Sequence, residues 1–134
     1  MDKLASNLQS KIDEDEAKVF SETALYEAHH PQNFGVIENP DGKAVLTGSC
    51  GDTMEMFVVV EGDTVVEVKF STDGCGATFA CGSMLTKMAK GLRTEQVLAL
   101  TDEDLIERLD GLPEENLHCA RLAVATLHGA VKVT

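Results

Sequence analysis

Met54-Glu55-Met56-Phe57-Val58-Val59-Val60-Glu61-Gly62-Asp63-Thr64-Val65-Val66-Glu67-Val68-Lys69-Phe70 is the stretch whose reading decides the fold. Met54, Met56, Val58 and Val60 alternate with Glu55, Phe57 and Val59, the period of two that turns one strand face inward. Gly62-Asp63 is a two-residue turn signal of the hairpin kind. Val66, Val68 and Phe70 then alternate with Glu67 and Lys69. Upstream, Ala44 to Thr47 is a candidate first strand, preceded by the turn Asn39-Pro40-Asp41-Gly42. The expectation is a small antiparallel meander, with Cys50-Gly51-Asp52 in the turn between its first two strands.

Outward from the strands the pattern becomes helical. Val19, Phe20, Ala24, Leu25 and Ala28 have helical spacing, and that helix must stop near His29-His30-Pro31, because the residue before proline is pushed out of the α region. Gln32-Asn33-Phe34-Gly35 reads as a turn. Downstream, Ala80, Met84, Met88 and Leu92 lie four apart, with Gly91 a C-cap signal. Thr101-Asp102-Glu103-Asp104 resembles a capping box ahead of Leu105, Ile106 and Leu109, and Gly111-Leu112-Pro113 stops that helix. Leu117, Ala120, Ala123, Val124, Leu127, Ala130 and Val131 form one face of a last helix. At the other end, Leu4, Leu8 and Ile12 suit a short helix, and Asp13-Glu14-Asp15-Glu16 a solvated linker or helix start. Strands followed by helices indicate an α+β fold. At 134 residues the chain predicts a single domain with a real core, residues 21–134, behind an N-terminal extension of residues 1–20.

The composition excludes several function classes. Eleven basic residues against 23 acidic ones give a net charge of −12, which opposes nucleic acid and anionic membranes but permits basic protein partners. No tryptophan and a single tyrosine leave no stacking platform for bases. Met1-Asp2-Lys3-Leu4 has no basic region followed by an apolar run, and the longest aliphatic and aromatic run, Phe57 to Val60, is too short for a bilayer. The expected location is the cytoplasm. There, four cysteines suit metal or redox chemistry better than disulfides.

The chemistry gathers at three glycine- or helix-flanked places. Cys50 and Asp52 bracket a glycine, which lets the chain turn sharply and a bulky centre approach. Cys75 sits between Gly74 and Gly76 where the last strand meets the next helix. His118 and Cys119 follow Asn116, a good N-cap residue. Cys119 then falls in the first helical turn, where the dipole and free N–H groups favour a thiolate. Three thiols, a carboxylate and an imidazole make a set of soft and borderline metal ligands. Neighbours on a helix diverge, so His118 and Cys119 are expected to be a poor nucleophile–base pair but able to reach a common metal. Cys81 is expected to be a packed helix residue, His29 and His30 a helix terminus, and His128 a surface residue.

His30-Pro31-Gln32-Asn33-Phe34-Gly35, Cys50-Gly51-Asp52-Thr53-Met54, Gly74-Cys75-Gly76-Ala77, Gly111-Leu112-Pro113 and His118-Cys119 together resemble the U-type iron–sulfur cluster assembly scaffolds, the IscU and NifU N-terminal domain family. Each motif is weak alone; five in family order, from about Ser21 to the C-terminus, gain force from context. The resemblance implies a three-stranded antiparallel sheet with helices packed on one side. It implies that Cys50, Cys75 and Cys119 are cluster thiols, that Asp52 and His118 complete the site, and that Cys119 accepts persulfide sulfur. The cargo it implies is an iron–sulfur cluster, 2Fe–2S first and 4Fe–4S second, with Zn2+ able to take the same site. The partners it implies are a cysteine desulfurase, an electron donor such as a ferredoxin, apo-protein acceptors, and a second copy of the chain in a cluster-bearing homodimer. A scaffold of this kind is not an enzyme.

Three features depart from the family, the first being an N-terminal extension longer than in short members. Many bacterial members carry Leu-Pro-Pro-Val-Lys before Ile-His-Cys, a segment read by an Hsp70-type chaperone; here Leu112-Pro113-Glu114-Glu115-Asn116 replaces it, which counts against that docking. Cys81 stands where many members have serine. The competing reading is a zinc-bound sulfurtransferase that activates a desulfurase, as in SufU-like relatives. Those usually carry an insertion before the last cysteine and lack the His-Cys pair that this chain has. A stand-alone electron carrier would need clustered Cys-x2-Cys or Cys-x4-Cys runs, and a thiol hydrolase a histidine facing its cysteine across the fold.

Overall fold

The computed structural model describes residues 20–134. The readings of Leu4, Leu8, Ile12, Val19 and the acidic run at 13–16 lie outside the described residues. Three antiparallel strands form one sheet in the order β1 (Gly42–Thr47), β2 (Thr53–Glu61), β3 (Thr64–Thr72). The meander read from the sequence is present, with the two-residue turn at Gly62-Asp63 between paired Glu61 and Thr64. Gly62 has a φ of 63°, a region that glycine enters without steric cost.

Registry decides which side chains reach the core. Leu46 faces Met54 across the first pair, and Met56 faces Phe70 across the second. An irregularity between Val59 and Val60 shifts the register of the hairpin near its turn. The expected set Val66, Val68 and Phe70 is corrected by that shift: Val65, Val68 and Phe70 are the buried residues, and Val66 is only half-buried. Phe57 is also buried, yet it lies outside the main core cluster. Its cross-strand neighbours are Lys43 and Lys69, and the Lys43 ammonium sits 5.7 Å from its ring centroid. Long lysine stems can thus cover an aromatic ring on the face turned from the core.

Helices cover the other face. α1 (Glu22–His29) starts at Ser21, whose hydroxyl accepts from the Ala24 N–H at 3.0 Å, and ends at His30 before Pro31 as expected. His30 stacks on Tyr26, and its Nδ1 lies 3.3 Å from the Tyr26 carbonyl, in keeping with a helix terminus. α2 (Gly76–Ala89) is buried over most of its surface. It approaches the sheet so closely that a Cβ on Gly82 would stand 2.5 Å from the Phe70 ring. The turn at 31–35 is fastened to both: Gln32 N donates to Ser83 Oγ at 2.8 Å, Asn33 Nδ2 to Thr86 Oγ1 at 3.1 Å, and Gly35 N to the Phe70 carbonyl at 2.8 Å. Buried Glu27 receives Ser83 Oγ at 2.6 Å and the Lys87 ammonium, which locks α1 to α2.

A short helix, α3 (Thr94–Leu98), was not anticipated; its one buried side chain, Val97, gives no periodicity to read. α4 (Asp102–Arg108) has the expected capping box, with Asp104 N donating to Thr101 Oγ1 at 3.1 Å and Thr101 N to Asp104 Oδ2 at 3.0 Å. A 3-10 turn (Glu114–Asn116) leads into α5 (Leu117–Lys132). Asn116 occupies the cap position, but its side chain makes no capping bond; its N–H is used by the 3-10 turn, 2.8 Å from the Pro113 carbonyl. His128 is not the surface residue expected: it is half-buried, with Nε2 3.0 Å from the Val97 carbonyl, tying α5 to α3. Among the described residues, no helix is long and apolar enough to cross a membrane.

α5 lies against β1 through the smallest side chains in the chain. A Cβ on Gly42 would stand 1.9 Å from the Ala130 carbonyl oxygen, and one on Gly129 would stand 3.1 Å from Ala44 Cβ. Farther along, Gly48 meets Leu122. Gly42→Ala must therefore push a helix backbone away from a strand. It is expected to cost about 1–3 kcal/mol of stability, as overpacking does. A urea unfolding midpoint equal to that of the unsubstituted chain would show that the two elements can separate freely.

Candidate functional site

The site forms where three elements end together. The β1–β2 connection closes on itself: Gly48 N donates to the Asp52 carbonyl at 2.8 Å, and Gly51 N to the Gly48 carbonyl at 3.0 Å. Gly51 takes a φ of 95°, the left-handed conformation the glycine between Cys50 and Asp52 was expected to supply. The end of β3 is bonded to the start of β2. Thr72 Oγ1 donates to the Thr53 carbonyl at 2.6 Å, and Thr53 N donates to Asp73 Oδ1 at 2.9 Å. These bonds set Asp52 beside Gly74-Cys75. Cys75 is the N-cap of α2, and its carbonyl accepts from Thr78 N and Phe79 N. His118 and Cys119 open α5.

The structure brings together all five residues singled out in the sequence. Cys50, Asp52 and His118 form one group and Asp52, Cys75 and Cys119 a second; within each, the ligand atoms lie within 4.8 Å of one another. Asp52 belongs to both. Thiolates bound to one tetrahedral metal at about 2.3 Å lie roughly 3.8 Å apart, so either group can close on an ion with small side-chain movements. The donors, three S, one N and one O, suit iron or zinc. All four cysteines are free thiols. Cys81 belongs to neither group; it is buried in the core as expected of a packed helix residue.

His118 and Cys119 are closer than helix geometry alone suggested. His118 Nε2 lies 3.0 Å from Cys50 Sγ and 3.6 Å from Cys119 Sγ, so one imidazole nitrogen reaches both sulfurs. Cys119 also departs from its expected character. The helix start predicted a ready thiolate, but Cys119 is buried, and burial pushes its thiol up to about 11. The Thr78 hydroxyl opposes that shift, as does the Asn116 side chain; the neighbouring Cys75 and Cys50 add to it. Desolvation therefore outweighs the helix terminus, and Cys119 is a thiol at neutral pH in the free chain.

Sequence reasoning missed Thr78. It is fully buried, and its hydroxyl donates to Asp52 Oδ2 at 3.0 Å. The same oxygen lies 3.6 Å from Cys119 Sγ and 3.7 Å from Cys75 Sγ. The available signal was its spacing: three residues after Cys75 on a helix, it lies on the same face one turn on.

Residues 8–133 match the family described as NifU-like N terminal domain. The chain belongs to that family. The iron–sulfur cluster assembly scaffold protein IscU of Aquifex aeolicus is 40% identical over 116 residues, covering 84% of this chain and 74% of the relative. One of the two such scaffolds of Archaeoglobus fulgidus is 36% identical over 114 residues, with the same coverage of each chain. The nitrogen fixation protein NifU of Trichormus azollae is 35% identical over 121 residues; there 84% of this chain matches 40% of a longer protein. Two solved structures share the fold. The N-terminal part of a NifU-like protein from Brucella abortus superimposes with a TM-score of 0.66 at 16% identity, covering 84% of this chain and 92% of that one. A protein named for the SUF iron–sulfur assembly system of Fervidobacterium islandicum gives 0.69 at 22% identity, covering 85% and 97%.

The exposures of the four thiols order their reactivity in the metal-free NifU-like domain. Exposed Cys50 and Cys75 should be alkylated first by iodoacetamide at neutral pH, Cys119 much later, and Cys81 only on unfolding. Raising the pH towards 11 should bring Cys119 into reaction, because its thiolate forms only there. Peptide mass spectrometry over a time course reads the order; early labelling of Cys119 at neutral pH would contradict it.

Proposed function

We propose that this chain is a scaffold on which an iron–sulfur cluster is assembled and from which it passes to other proteins. The observation that carries the reading is the pair of overlapping donor groups sharing Asp52. A single structural ion would need one closed set of four ligands. Five donors of three chemical kinds, two of the sulfurs exposed, suit a cargo that must enter and leave. Membership in a family whose curated relatives are named as scaffolds supports the same reading.

In the proposed sequence a cysteine desulfurase presents a persulfide. The Cys119 thiolate attacks its outer sulfur; the S–S bond breaks, the desulfurase thiolate leaves, and Cys119 becomes the persulfide. Cys119 is buried in the free chain, so the site must open when the desulfurase docks. Each persulfide sulfur needs two electrons to become sulfide, and a donor such as a ferredoxin supplies them. Iron enters among Cys50, Asp52, Cys75, His118 and Cys119. Asp52 is the exchangeable ligand. A carboxylate holds a sulfide cluster less tightly than a thiolate and yields to an incoming thiol of an apo-protein.

The second reading, a zinc-bound sulfurtransferase serving a desulfurase, is favoured by one observation: each group of three donors is compact enough for a single tetrahedral zinc. Metal analysis and visible absorption after anaerobic reconstitution with iron, cysteine and a desulfurase separate the two. The scaffold reading expects iron and sulfide in equal amounts with thiolate-to-iron absorption, and substitution of Cys75 or Cys119 by serine should abolish loading. Stoichiometric zinc that resists displacement, with no visible chromophore, would favour the sulfurtransferase.

Two further outcomes are expected. Asp52→Ala should still load a cluster, lose it more slowly to a chelator, and pass it to an apo-ferredoxin more slowly; faster loss would make Asp52 an indispensable ligand instead. Incubation with a desulfurase and cysteine should add sulfur at Cys119, read by peptide mass spectrometry. Undiminished persulfide on Cys50 or Cys75 in Cys119→Ser would move the acceptor role elsewhere.

A further inference from the structure

We infer that Thr78 is a positioning residue that sets the hold of Asp52 on the cluster. The inference rests on the scaffold reading above and assigns a role to a residue that is not itself one of the five donors. Thr78 is fully buried, so its hydroxyl must find its partners inside the protein. Its nearest hydrogen-bond partner is Asp52 Oδ2, at 3.0 Å. Its sulfur neighbours, Cys119 and Cys75, lie at 3.6 and 3.7 Å, the weaker contacts expected of thiols.

The surrounding backbone is built around this bond. A Cβ on Gly74 would lie 2.6 Å from Thr78 Oγ1 and 2.8 Å from Asp52 Oδ2. Any side chain at position 74 would strike both ends of the hydrogen bond at once. Gly74 does not take a positive φ, so its lack of a side chain is a matter of space and not of backbone conformation. The glycine before Cys75 thus makes room for the contact between α2 and the β1–β2 loop.

The consequence is chemical. A hydroxyl held on Oδ2 engages one carboxylate oxygen and would leave Oδ1 the freer one for iron. It also draws charge from the carboxylate, which makes a weaker ligand of it. Both effects keep Asp52 singly attached and exchangeable. Thr78 is carried by α2, which also carries Cys75 at its start, so the thiolate and the carboxylate that share a donor group are fixed to one rigid element.

The experiment uses the full chain, loaded anaerobically with a cluster, and reads its visible circular dichroism and the rate of absorbance decay in a chelator. Thr78→Val removes the hydroxyl and keeps the shape. It should slow the decay by about tenfold, the lower range for a change in a partner that orients a metal ligand, because the hydroxyl that weakens Asp52 as a ligand is gone; faster decay overturns the inference. Its dichroism should differ from that of the unsubstituted chain and from that of Asp52→Ala, which lacks the carboxylate. Thr78→Ser should restore both. In the Asp52→Ala background, Thr78→Val should add no further change. Thr78→Ala, smaller and unable to overpack, is measured beside Val so that a folding defect, seen in far-ultraviolet dichroism, does not decide the result. An unsubstituted chain that loads no cluster overturns the scaffold reading and this inference with it. A loaded chain whose decay and dichroism neither Thr78→Val nor Thr78→Ala alters overturns the inference alone. So does an equal shift in the Asp52→Ala background, since Thr78 would then act through the sulfurs or through packing.

Discussion

The close approach of α5 to β1 is the constraint on which the rest of this structure depends. Ala130 and Gly129 of the helix meet Gly42 and Ala44 of the strand, and Leu122 meets Gly48 beyond the strand's other end. Increasing residue numbers on the strand thus meet decreasing numbers on the helix, so the two run antiparallel. A sixteen-residue helix is roughly 24 Å long, and its start is therefore carried past the end of β1 to the loop holding Cys50. That is how His118 Nε2 comes within 3.0 Å of a sulfur 68 residues earlier in the chain. With larger side chains at 42 or 129 the helix could still cover the sheet, but it would stand off, and its start would no longer share a rim with the loop.

The other wall of the site is placed by α2, and the same device recurs. Gly82 lets α2 settle on the Phe70 ring, and Gly74 lets the helix start close on Asp52 through Thr78. Glu27, Ser83 and Lys87 then bolt α1 to the outside of α2. The residues Gln32-Asn33-Phe34-Gly35, part of one of the motifs that first suggested the family, make their contacts with α2 and β3. Their part is to fasten the helix that presents Cys75, which is why a motif that contributes no donor to the site travels with those that do.

Much of this was legible because the signals are local. Alternation gave the hairpin, Pro31 the end of α1, and Thr101 with Asp104 the capping box, each a matter of a few adjacent residues. The five donors could be picked out because each stands beside glycine or at a helix start. What the sequence could not disclose depends on distance through space. The shift at Val59 and Val60 that buries Val65 in place of Val66 is set by pairing across the hairpin. The raised Cys119 thiol is set by what packs over it, against a helix-terminus argument that was sound as far as it went. Asn116 had the right residue type for a cap but lost the role to a 3-10 turn before it. Thr78 is an ordinary helix residue until Asp52, 26 positions earlier, is folded against it.

The uneven burial of the donors carries the last step. Cys50 and Cys75 are exposed, Cys119 is buried, and Asp52 and His118 lie between. A fully sunken site would hold a metal centre firmly and bar other proteins from it; a fully exposed one would leave bare sulfide open to oxidation and hydrolysis. On the proposed reading the gradient divides the labour. Cys119 anchors the deep side in low-dielectric surroundings, where a metal–thiolate bond is strong once formed. Cys50 and Cys75 present the cargo at the rim, where the thiols of a partner can replace them. Asp52, shared by both donor groups and held by a buried hydroxyl, stands at the point where the deep and shallow sides meet. Exchange that begins at Asp52 opens both groups at once, so the least tightly binding donor is also the one whose departure frees the most of the site.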